Sequence, residues 1–388
     1  MARLGDLFLH IRNGANIKQG LDNTGYPITR IETISNRTVD RNKMGYAGIT
    51  DLEKYSDFVM QDGDILMSHI NSETHLGKTA LYEKEGDEII IHGMNLLSLR
   101  PNKDLITSKY AFYYLSSQSF LRQIPNITKK SVNQASFTVS ALKELAFPIL
   151  SIEEQKKITL DLDKVNDLIS LRKQQLSKMD ELVKSRFVEL FGDPMTNSNG
   201  YVLKKYGDLF ELNAGGTPSK QKSEYWDNGT ISWIGSNMCQ NTVIYENDGN
   251  YITEEGLKHS SARMFPVDTV LIALVGATIG KTALLKFETT TNQNLLGVRG
   301  IRESGYTPEF IFHYTQGLYQ KFLNIGDGGF AMASKGFISE LPVPVVDLAL
   351  QEQFAAFVEQ VDKSKLAIQK SLEKLETLKK SLMQKYFG

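Results

Sequence analysis

Residues 153–190 read EEQKKITLDLDKVNDLISLRKQQLSKMDELVKSRFVEL, a run of 38 residues that contains neither proline nor glycine. Its apolar residues are spaced alternately three and four positions apart, which places them on one face of an α-helix. This apolar seam consists of Ile158, Leu162, Val165, Ile169, Leu176, Met179, Val183 and Leu190, with Arg172 and Arg186 at its polar positions. At about 1.5 Å per residue, the pattern predicts a helix roughly 57 Å long.

The flanking residues indicate where this helix begins and ends. Ser151 followed three residues later by Glu154 is typical of a capping box, and Gly192 followed by Pro194 ends a helix sharply. A helix of that length exceeds the width of an ordinary domain. We therefore expect it to separate structural units.

A second run near the C-terminus repeats the seam. Its members are Phe354, Val358, Val361, Ile368, Leu372, Leu375, Leu382 and Tyr386, with Lys365 and Lys379 at the polar positions. Both runs end in Phe-Gly, at Phe191-Gly192 and Phe387-Gly388. The repeat predicts two long antiparallel helices that form a coiled coil by burying their stripes against each other. The alternative is that each helix packs separately on its own domain.

The segments between the helices repeat as well. Residues 5–8, 64–80, 94–97 and 145–148 recur at 207–210, 268–283, 293–296 and 341–344, and Glu154-Gln155 recurs as Glu352-Gln353. The sequence therefore predicts two duplicated mixed α/β domains, at residues 1–150 and 195–347, with long helices at 151–194 and 348–388. Within the first domain we expect strands at 65–67, 88–91 and 96–99 and a helix over 110–124.

Composition limits the class of protein. The 388 residues carry a net charge of −1, and neither globular segment is strongly basic, so a uniformly positive DNA-binding face is excluded. A single cysteine, Cys239, excludes an intramolecular disulfide. The longest purely apolar run, residues 270–275, is too short to span a bilayer. We expect a soluble cytoplasmic protein.

Two short motifs resemble part of a nucleotide-binding loop. They are Gly77-Lys78-Thr79 and Gly280-Lys281-Thr282, but Ser72 and Val275 stand where that loop needs its first glycine. A turn between two strands explains the motifs better, and a lysine directed at a DNA backbone is the other option. Metalloprotease, hydrolase, dinucleotide and amino-methyltransferase patterns are also missing, so we predict no catalytic residue, no metal site and no cofactor in this chain.

The richest local signal begins the second half. Residues 215–220 read GGTPSK and are followed by Trp226 and by ISWIGSN at 231–237. The turn offers backbone amides and hydroxyls, groups that contact phosphates and base edges. We expect Trp233 to lie in the core, whereas Trp226 lies among charged residues and is left open.

With these features the chain resembles the specificity subunit of a type I restriction-modification system over essentially its whole length. The resemblance rests on the duplication, the paired helices with their Phe-Gly ends, the Gly-Lys-Thr-Ala turns, and the 215–219 and Trp233-Ile234 segments. The first half departs from it, since residues 13–19 read NGANIKQ where the Gly-Gly-Thr-Pro-Ser turn is expected. This difference implies a different half-site.

The resemblance implies a non-catalytic subunit that reads a bipartite, asymmetric double-stranded DNA target, one part per domain. The helices would set the spacer and dock two methyltransferase subunits, which bring S-adenosylmethionine and modify adenine. Endonuclease subunits that translocate DNA would join that core.

Two groups of candidate residues follow. The DNA-binding candidates are Arg37, Lys43, Lys78, Lys129, Lys130, Asn133, Gln134, Thr217, Ser219, Lys220, Lys222, Ser236, Asn237 and Lys281. The candidates for the coiled-coil or partner interface are Ile158, Leu162, Val165, Ile169, Leu176, Met179, Val183, Val361, Ile368, Leu372, Leu375 and Leu382. Two rival hypotheses stay open: a duplicated protein-binding scaffold, and a nucleotide-dependent enzyme that uses the Gly280-Lys281-Thr282 turn.

Overall fold

The computed structural model describes residues 1–18, 20, 24–34, 37–132, 134–300, 305–325 and 332–388. It divides into two compact units. Unit 1 comprises Met1–Lys173 and Lys370–Gly388, and unit 2 comprises Gln174–Gln369. Each unit therefore contains one globular segment together with part of both long helices.

Unit 1 is a mixed α/β domain. Its strands are β1 (Ala2–Arg3), β2 (Phe8–Asn13), β3 (Ile65–Ser68), β4 (Ile70–Asn71), β5 (Thr79–Leu81), β6 (Leu96–Pro101), β7 (Lys129–Lys130), β8 (Ala135–Ser136) and β9 (Ala146–Phe147). Its helices are α1 (Ser108–Leu115), α2 (Gln118–Leu121), α3 (Ile124–Ile127), α4 (Val139–Lys143) and the first part of α5 (Ile152–Phe191). The main sheet has the order β2-β6-β3-β5, and a smaller sheet has the order β4-β8-β7.

Unit 2 repeats this frame. Its strands are β10 (Leu203–Lys205), β11 (Phe210–Ala214), β12 (Ile231–Ile234), β13 (Thr242–Ile244), β14 (Tyr251–Ile252), β15 (Met264–Phe265), β16 (Val270–Ala273), β17 (Thr282–Leu285), β18 (Thr289–Thr291), β19 (Leu295–Gly300) and β20 (Pro342–Pro344). Its helices are α6 (Tyr206–Leu209), α7 (Glu254–Lys258), α8 (Pro308–Gly317), α9 (Tyr319–Leu323), α10 (Lys335–Ser339) and the first part of α11 (Leu348–Phe387).

The two main sheets share one topology. The antiparallel order β2-β6-β3-β5 of unit 1 recurs in unit 2 as β11-β19-β16-β17, extended by β13. The segments inserted between the first two main-sheet strands in chain order differ. Between β2 and β3, unit 1 has 3-10 helices at Ile31–Ile34, Arg41–Lys43 and Glu53–Phe58. Between β11 and β16, unit 2 has β12, β14 and β15, which join the later strand β18 in a second sheet of order β14-β12-β18-β15. The predicted duplication is confirmed, with a common frame and different insertions.

Two local predictions for unit 1 are wrong. Residues 88–91 form no strand; Ile91 makes only isolated bridges to Ile28 and Val59, because irregular segments cover this apolar run. Residues 110–124 form parts of three short helices instead of one. The first break has a local cause, since the Ser117 hydroxyl accepts a hydrogen bond from the Phe120 amide and caps a new helix. The strands predicted at 65–67 and 96–99 are present.

Helix α5 spans 40 residues and begins as predicted. The Glu154 carboxylate accepts from the Ser151 amide at 3.0 Å, and the Ser151 hydroxyl accepts from the Glu154 amide at 3.3 Å. At the other end Gly192 has a φ of 78°, and its amide donates to the Val188 carbonyl at 2.8 Å. The part of the chain that the structure describes has no helix long and apolar enough to cross a membrane.

The two long helices run antiparallel within each unit. In unit 1, Tyr386 donates to Asp161 at 2.7 Å, and Lys173 pairs with Glu376 at 3.4 Å. In unit 2, Lys365 pairs with Asp180 at 2.6 Å. These polar contacts favour one register of the helices, which is the usual role of polar residues on a seam.

All twelve seam candidates are buried or half-buried. Seam residues also belong to the hydrophobic core of each unit. In unit 1, Ile158 and Leu162 are in the same core cluster as Phe387. In unit 2, Val183 and Val361 belong to the core around Phe310. The helices therefore contact each other and also pack on the globular segments, so the two packing alternatives coexist. Sequence reasoning omitted Phe187 from the seam, although it is buried in the unit 2 core.

The polar seam residues have different surroundings. Arg186 pairs with Glu189 on its own helix at 2.8 Å, and Arg172 is half-buried. Burial, followed by the nearby charge of Lys173, lowers the pKa of Lys379. Lys365 is thus the seam cation that forms an ion pair across the helices within unit 2.

A buried glutamine near the start of each long helix forms hydrogen bonds with the globular segment that precedes the helix. Gln155 accepts from the Thr107 amide at 2.8 Å and donates to the Leu105 and Leu150 carbonyls at 3.0 Å each. Gln351 accepts from the Thr307 amide at 3.0 Å and donates to the Gly305 and Val346 carbonyls at 3.0 and 3.3 Å. The counterpart of Gln155 is therefore Gln351, and the predicted match to Gln353 is wrong. The hydrogen bonds of its side chain, and not a place in a Glu-Gln pair, identify Gln351 as the counterpart of Gln155.

We expect Gln351→Leu to destabilise the protein by about 2 to 4 kcal/mol, because it leaves one amide and two carbonyls without their partner. Chemical denaturation measures this loss. The matched control is Gln353→Leu, two positions along the same helix at an exposed site. Its unfolding free energy will change little, and equal losses in the two variants would contradict the assignment.

Candidate nucleic-acid interface

A short basic hairpin projects from the smaller sheet of unit 1. Strands β7 and β8 pair Lys129 with Ser136 and Lys130 with Ala135. The turn is closed by the Ser131 amide and hydroxyl, which both donate to the Gln134 carbonyl at 2.8 Å. Lys129, Lys130 and Gln134 are exposed, and Lys130 pairs with Glu73 at 2.8 Å. The fourth candidate in this loop, Asn133, lies outside the described residues.

A cavity of about 200 Å³ lies beside this hairpin. Arg37 and Lys78 line it together with Glu73 and Thr128, and its apolar wall includes Ile124. The structure therefore brings Arg37, Lys78 and the base of the hairpin to one place, although the sequence separates them. Lys43 is engaged elsewhere, since it pairs with Asp40 at 3.6 Å.

The two Gly-Lys-Thr motifs are turns between antiparallel strands. Gly77 lies between β3 and β5 with a φ of 71°, and Gly280 lies between β16 and β17 with a φ of 73°. The threonine after each lysine begins a strand, so the helix N-terminus that a nucleotide-binding loop needs is not formed. The strand-turn-strand interpretation is confirmed.

Lys281 lies in a polar cluster of unit 2. Its ammonium donates to the Gln240 side chain at 2.6 Å, and the amide of that side chain donates to the Asn237 carbonyl at 3.2 Å. Asn237 is exposed and Ser236 is half-buried. Three candidates from two distant segments are thus neighbours.

The turn at residues 215–220, named the Gly-Gly turn, lies close to Thr291 of β18, in the second sheet of unit 2, and to the loop residue Ser261. A side chain at Gly215 would collide with Thr291, and one at Gly216 would collide with Ser261. The Gly216 amide donates to the Thr291 carbonyl at 2.8 Å, and the Thr217 hydroxyl donates to Gln293. Only glycine fits at positions 215 and 216, because a Cβ atom there would collide with these neighbours.

The candidates that follow in the Gly-Gly turn and just after it face solvent. Ser219, Lys220 and Lys222 are exposed. Lys222 donates to the Tyr225 hydroxyl at 2.9 Å, and this hydrogen bond raises the pKa of Lys222. The turn therefore offers hydroxyls and ammonium groups at the surface.

Two tryptophans hydrogen-bond to this turn, a role that was not predicted from the sequence. The prediction that Trp233 lies in the core is wrong: it is half-buried, and its indole N–H donates to the Gly216 carbonyl at 3.1 Å. Trp226 is half-buried as well and donates to the Ser219 carbonyl at 3.1 Å. The only signal in the sequence was the proximity of both tryptophans to the turn.

Unit 1 keeps the backbone of this region and changes its side chains. A side chain at Gly14 would collide with the Gly93 carbonyl, as one at Gly215 would with Asn292. The Ala15 amide donates to the His92 carbonyl at 2.8 Å, and the Met94 amide donates to the Ala15 carbonyl at 3.0 Å. Gln19, at the end of this segment, lies outside the described residues.

Comparison with known proteins gives consistent results. The chain matches the family described as the type I restriction modification DNA specificity domain over residues 1–180 and again over 199–380. It is 30% identical to the putative type I restriction enzyme MjaX specificity subunit of Methanocaldococcus jannaschii, over 98% of this chain and 90% of that protein. It is 26% identical to the EcoR124I/EcoR124II specificity subunit of Escherichia coli, over 67% of this chain and 64% of that protein.

A solved structure shares the fold. The type I restriction-modification S subunit from M. genitalium matches with a TM-score of 0.58 and 16% identity, over 100% of this chain and 95% of that one.

Proposed function

The chain belongs to the type I restriction modification DNA specificity family as a non-catalytic specificity subunit, and we propose that its two domains each read one half of a bipartite, asymmetric DNA target. The observation that carries the proposal is the contrast between frame and insertions. The order of four strands in the main sheet recurs in both units, whereas the inserted segments and exposed polar groups differ. Two similar frames with different surfaces suit two different half-sites.

The proposed contacts in unit 1 surround the basic hairpin. Arg37, Lys78, Lys129 and Lys130 would hold phosphates, and Gln134 would read a base edge. The ion pair between Lys130 and Glu73 is exposed, so exchanging its carboxylate for a phosphate costs little.

In unit 2 the proposed contacts lie in the Gly-Gly turn and around Lys281. Lys220, Lys222 and Lys281 would hold phosphates. Thr217, Ser219, Ser236 and Asn237 would supply hydroxyl and amide groups for bases. The near-neutral chain would bind DNA tightly only with partners that add further contacts.

The helices would dock two methyltransferase subunits. These subunits would bind S-adenosylmethionine and methylate adenine, and endonuclease subunits would complete the assembly. The chain itself would carry no cofactor in this scheme.

The test combines two measurements. Mapping methylated adenines in cells that carry or lack the gene should reveal one bipartite motif that depends on this chain. A duplex with that motif should bind the complex of the chain and its methyltransferase partner more tightly than a scrambled duplex. Equal affinity for the two duplexes would contradict the proposal.

Lys220→Gln is expected to weaken binding of all duplexes and to reduce the slope of log K against log salt by about 1, because one phosphate contact is lost. Titration of the complex with duplex at several salt concentrations measures the slope. Lys205→Gln is the control, since Lys205 is also exposed in unit 2 but pairs with Glu340 at 2.8 Å. An unchanged slope for Lys220→Gln would remove this residue from the interface.

A further inference from the structure

Two indole N–H groups donate to backbone carbonyls of the Gly-Gly turn in unit 2. They belong to Trp226 and Trp233, which we name the indole clamp. The hydrogen bond of Trp233 reaches Gly216, and that of Trp226 reaches Ser219, each at 3.1 Å. The two anchor points enclose Thr217 and Pro218. The clamp therefore restrains the part of the turn that precedes the exposed Ser219 and Lys220.

The clamp is itself held in place. The two indole rings meet edge to face, with centroids 5.3 Å apart and an interplanar angle of 81°. Trp233 lies on β12, which pairs with β18 and β14, and its amide donates to the Asn250 carbonyl at 3.0 Å. Trp226 directly follows the 3-10 helix Ser223–Tyr225. The strand supports one ring, and that ring supports the other.

A third contact acts on the same turn. The Thr217 hydroxyl donates to Gln293, which precedes β19 of the main sheet. Gly215 and Gly216 pack closely on Thr291 of β18 and on the loop residue Ser261, so the turn is held from several sides. A loop held in this way loses little conformational freedom when it binds a ligand.

We infer that Trp226, Trp233 and Gln293 are positioning residues that set the sequence discrimination of unit 2 at its DNA half-site, an inference that rests on the proposed function. They hold the turn so that Ser219 and Lys220 meet the duplex in one fixed arrangement. Groups that read bases must be placed within a fraction of an ångström, and this placement depends on supporting contacts of this kind.

Trp226→Phe is the most direct test of the hydrogen bond between Trp226 and Ser219. It keeps an aromatic ring beside Trp233 and removes the N–H that Ser219 receives, together with three ring atoms. Ser219 is exposed, so its carbonyl can bond to water instead, and folding should be little affected. Trp233→Phe would leave the carbonyl of buried Gly216 without its donor and is less suitable.

The experiment uses the full chain in complex with its methyltransferase partner. The probes are duplexes carrying the motif obtained from methylation mapping, with single mismatches in either half. For Trp226→Phe, discrimination against mismatches in the half-site of unit 2 should fall by roughly tenfold, on the scale of one good base contact. Discrimination in the other half and the salt slope should stay unchanged, because no phosphate contact is lost.

Hydrogen exchange gives an independent measure. The amides of Gly216 and Lys222, which donate to the Thr291 and Ser219 carbonyls, should exchange faster in the variant, while the rest of unit 2 keeps its protection. Tyr245→Phe, at an exposed aromatic residue of the same unit, should change neither measurement.

The outcomes separate this inference from the proposed function. If Trp226→Phe retains discrimination, loses it equally in both halves, or leaves exchange unchanged, the positioning role is wrong. If Trp226→Phe unfolds the unit, Gln293→Leu, which leaves both rings, decides: selective loss in one half supports the role, and full discrimination overturns it. If the wild-type complex shows no preference for the motif, the proposed function fails instead.

Discussion

Replacing residues 195–347 by the equivalent segment of a relative with a different target will change one half of the methylated sequence and leave the other half unchanged. The expectation follows from the two separate sheets, each with its own insertions and exposed polar groups. Methylation mapping in cells that express the chimera measures the effect directly. The change should be complete, because all proposed base contacts of unit 2 are exchanged at once.

The chimera must keep the contacts between the swapped segment and the helices. Phe310 packs on Phe187 and Phe191, with ring centroids 5.5 and 4.9 Å apart, and Gln351 bonds to residues 305 and 307. A donor with an aromatic residue at 310 meets this need. Exchanging residues 1–150 is the reciprocal experiment and should alter the other half of the motif. A change in both halves after either exchange would refute the assignment of one half-site to each domain.

Lengthening both long helices together will lengthen the spacer between the two half-sites. Four residues inserted after Lys173, with four more inserted after Gln369, fall at the boundaries of the two units. They leave the Asp161–Tyr386 contact of unit 1 and the Asp180–Lys365 pair of unit 2 within their units. At 1.5 Å per residue the added length is about 6 Å, which corresponds to one or two base pairs.

Inserting four residues after Lys173 alone serves as the comparison. The extension is then unmatched by α11, and we expect methylation to be lost. Mapping the methylated motif in cells that express each variant gives the spacer. A motif with the original spacing in the doubly extended chain would refute the proposal that the helices set the spacer.

Features with a strong local signal were predicted well. The seam of α5 and its capping box depend on residues three and four positions apart, so the sequence displays them directly. The same holds for the Gly-Lys-Thr turns, where strand-like residues flank a glycine. The duplication could be recognised because both halves keep matching segments in the same order.

Two predictions based on apolar character alone were wrong. Residues 88–91 contain three consecutive isoleucines and resemble a strand, but irregular segments pack against them instead of a sheet. Trp233 resembles a core residue, yet its N–H is needed at the Gly-Gly turn. Aromatic residues combine a large apolar surface with a polar group, so sequence alone does not tell which property is used.

The two long helices, the repeated α/β frame and the family could be predicted from the sequence, because these depend on periodicity and on the order of motifs. Tertiary contacts were needed to show that Gln351 and not Gln353 anchors the second helix, and that Arg37 and Lys78 share a cavity beside the Lys129–Lys130 hairpin. They also showed that two tryptophans hold the Gly-Gly turn. The partners in such contacts are fixed by packing geometry that no local sequence pattern encodes.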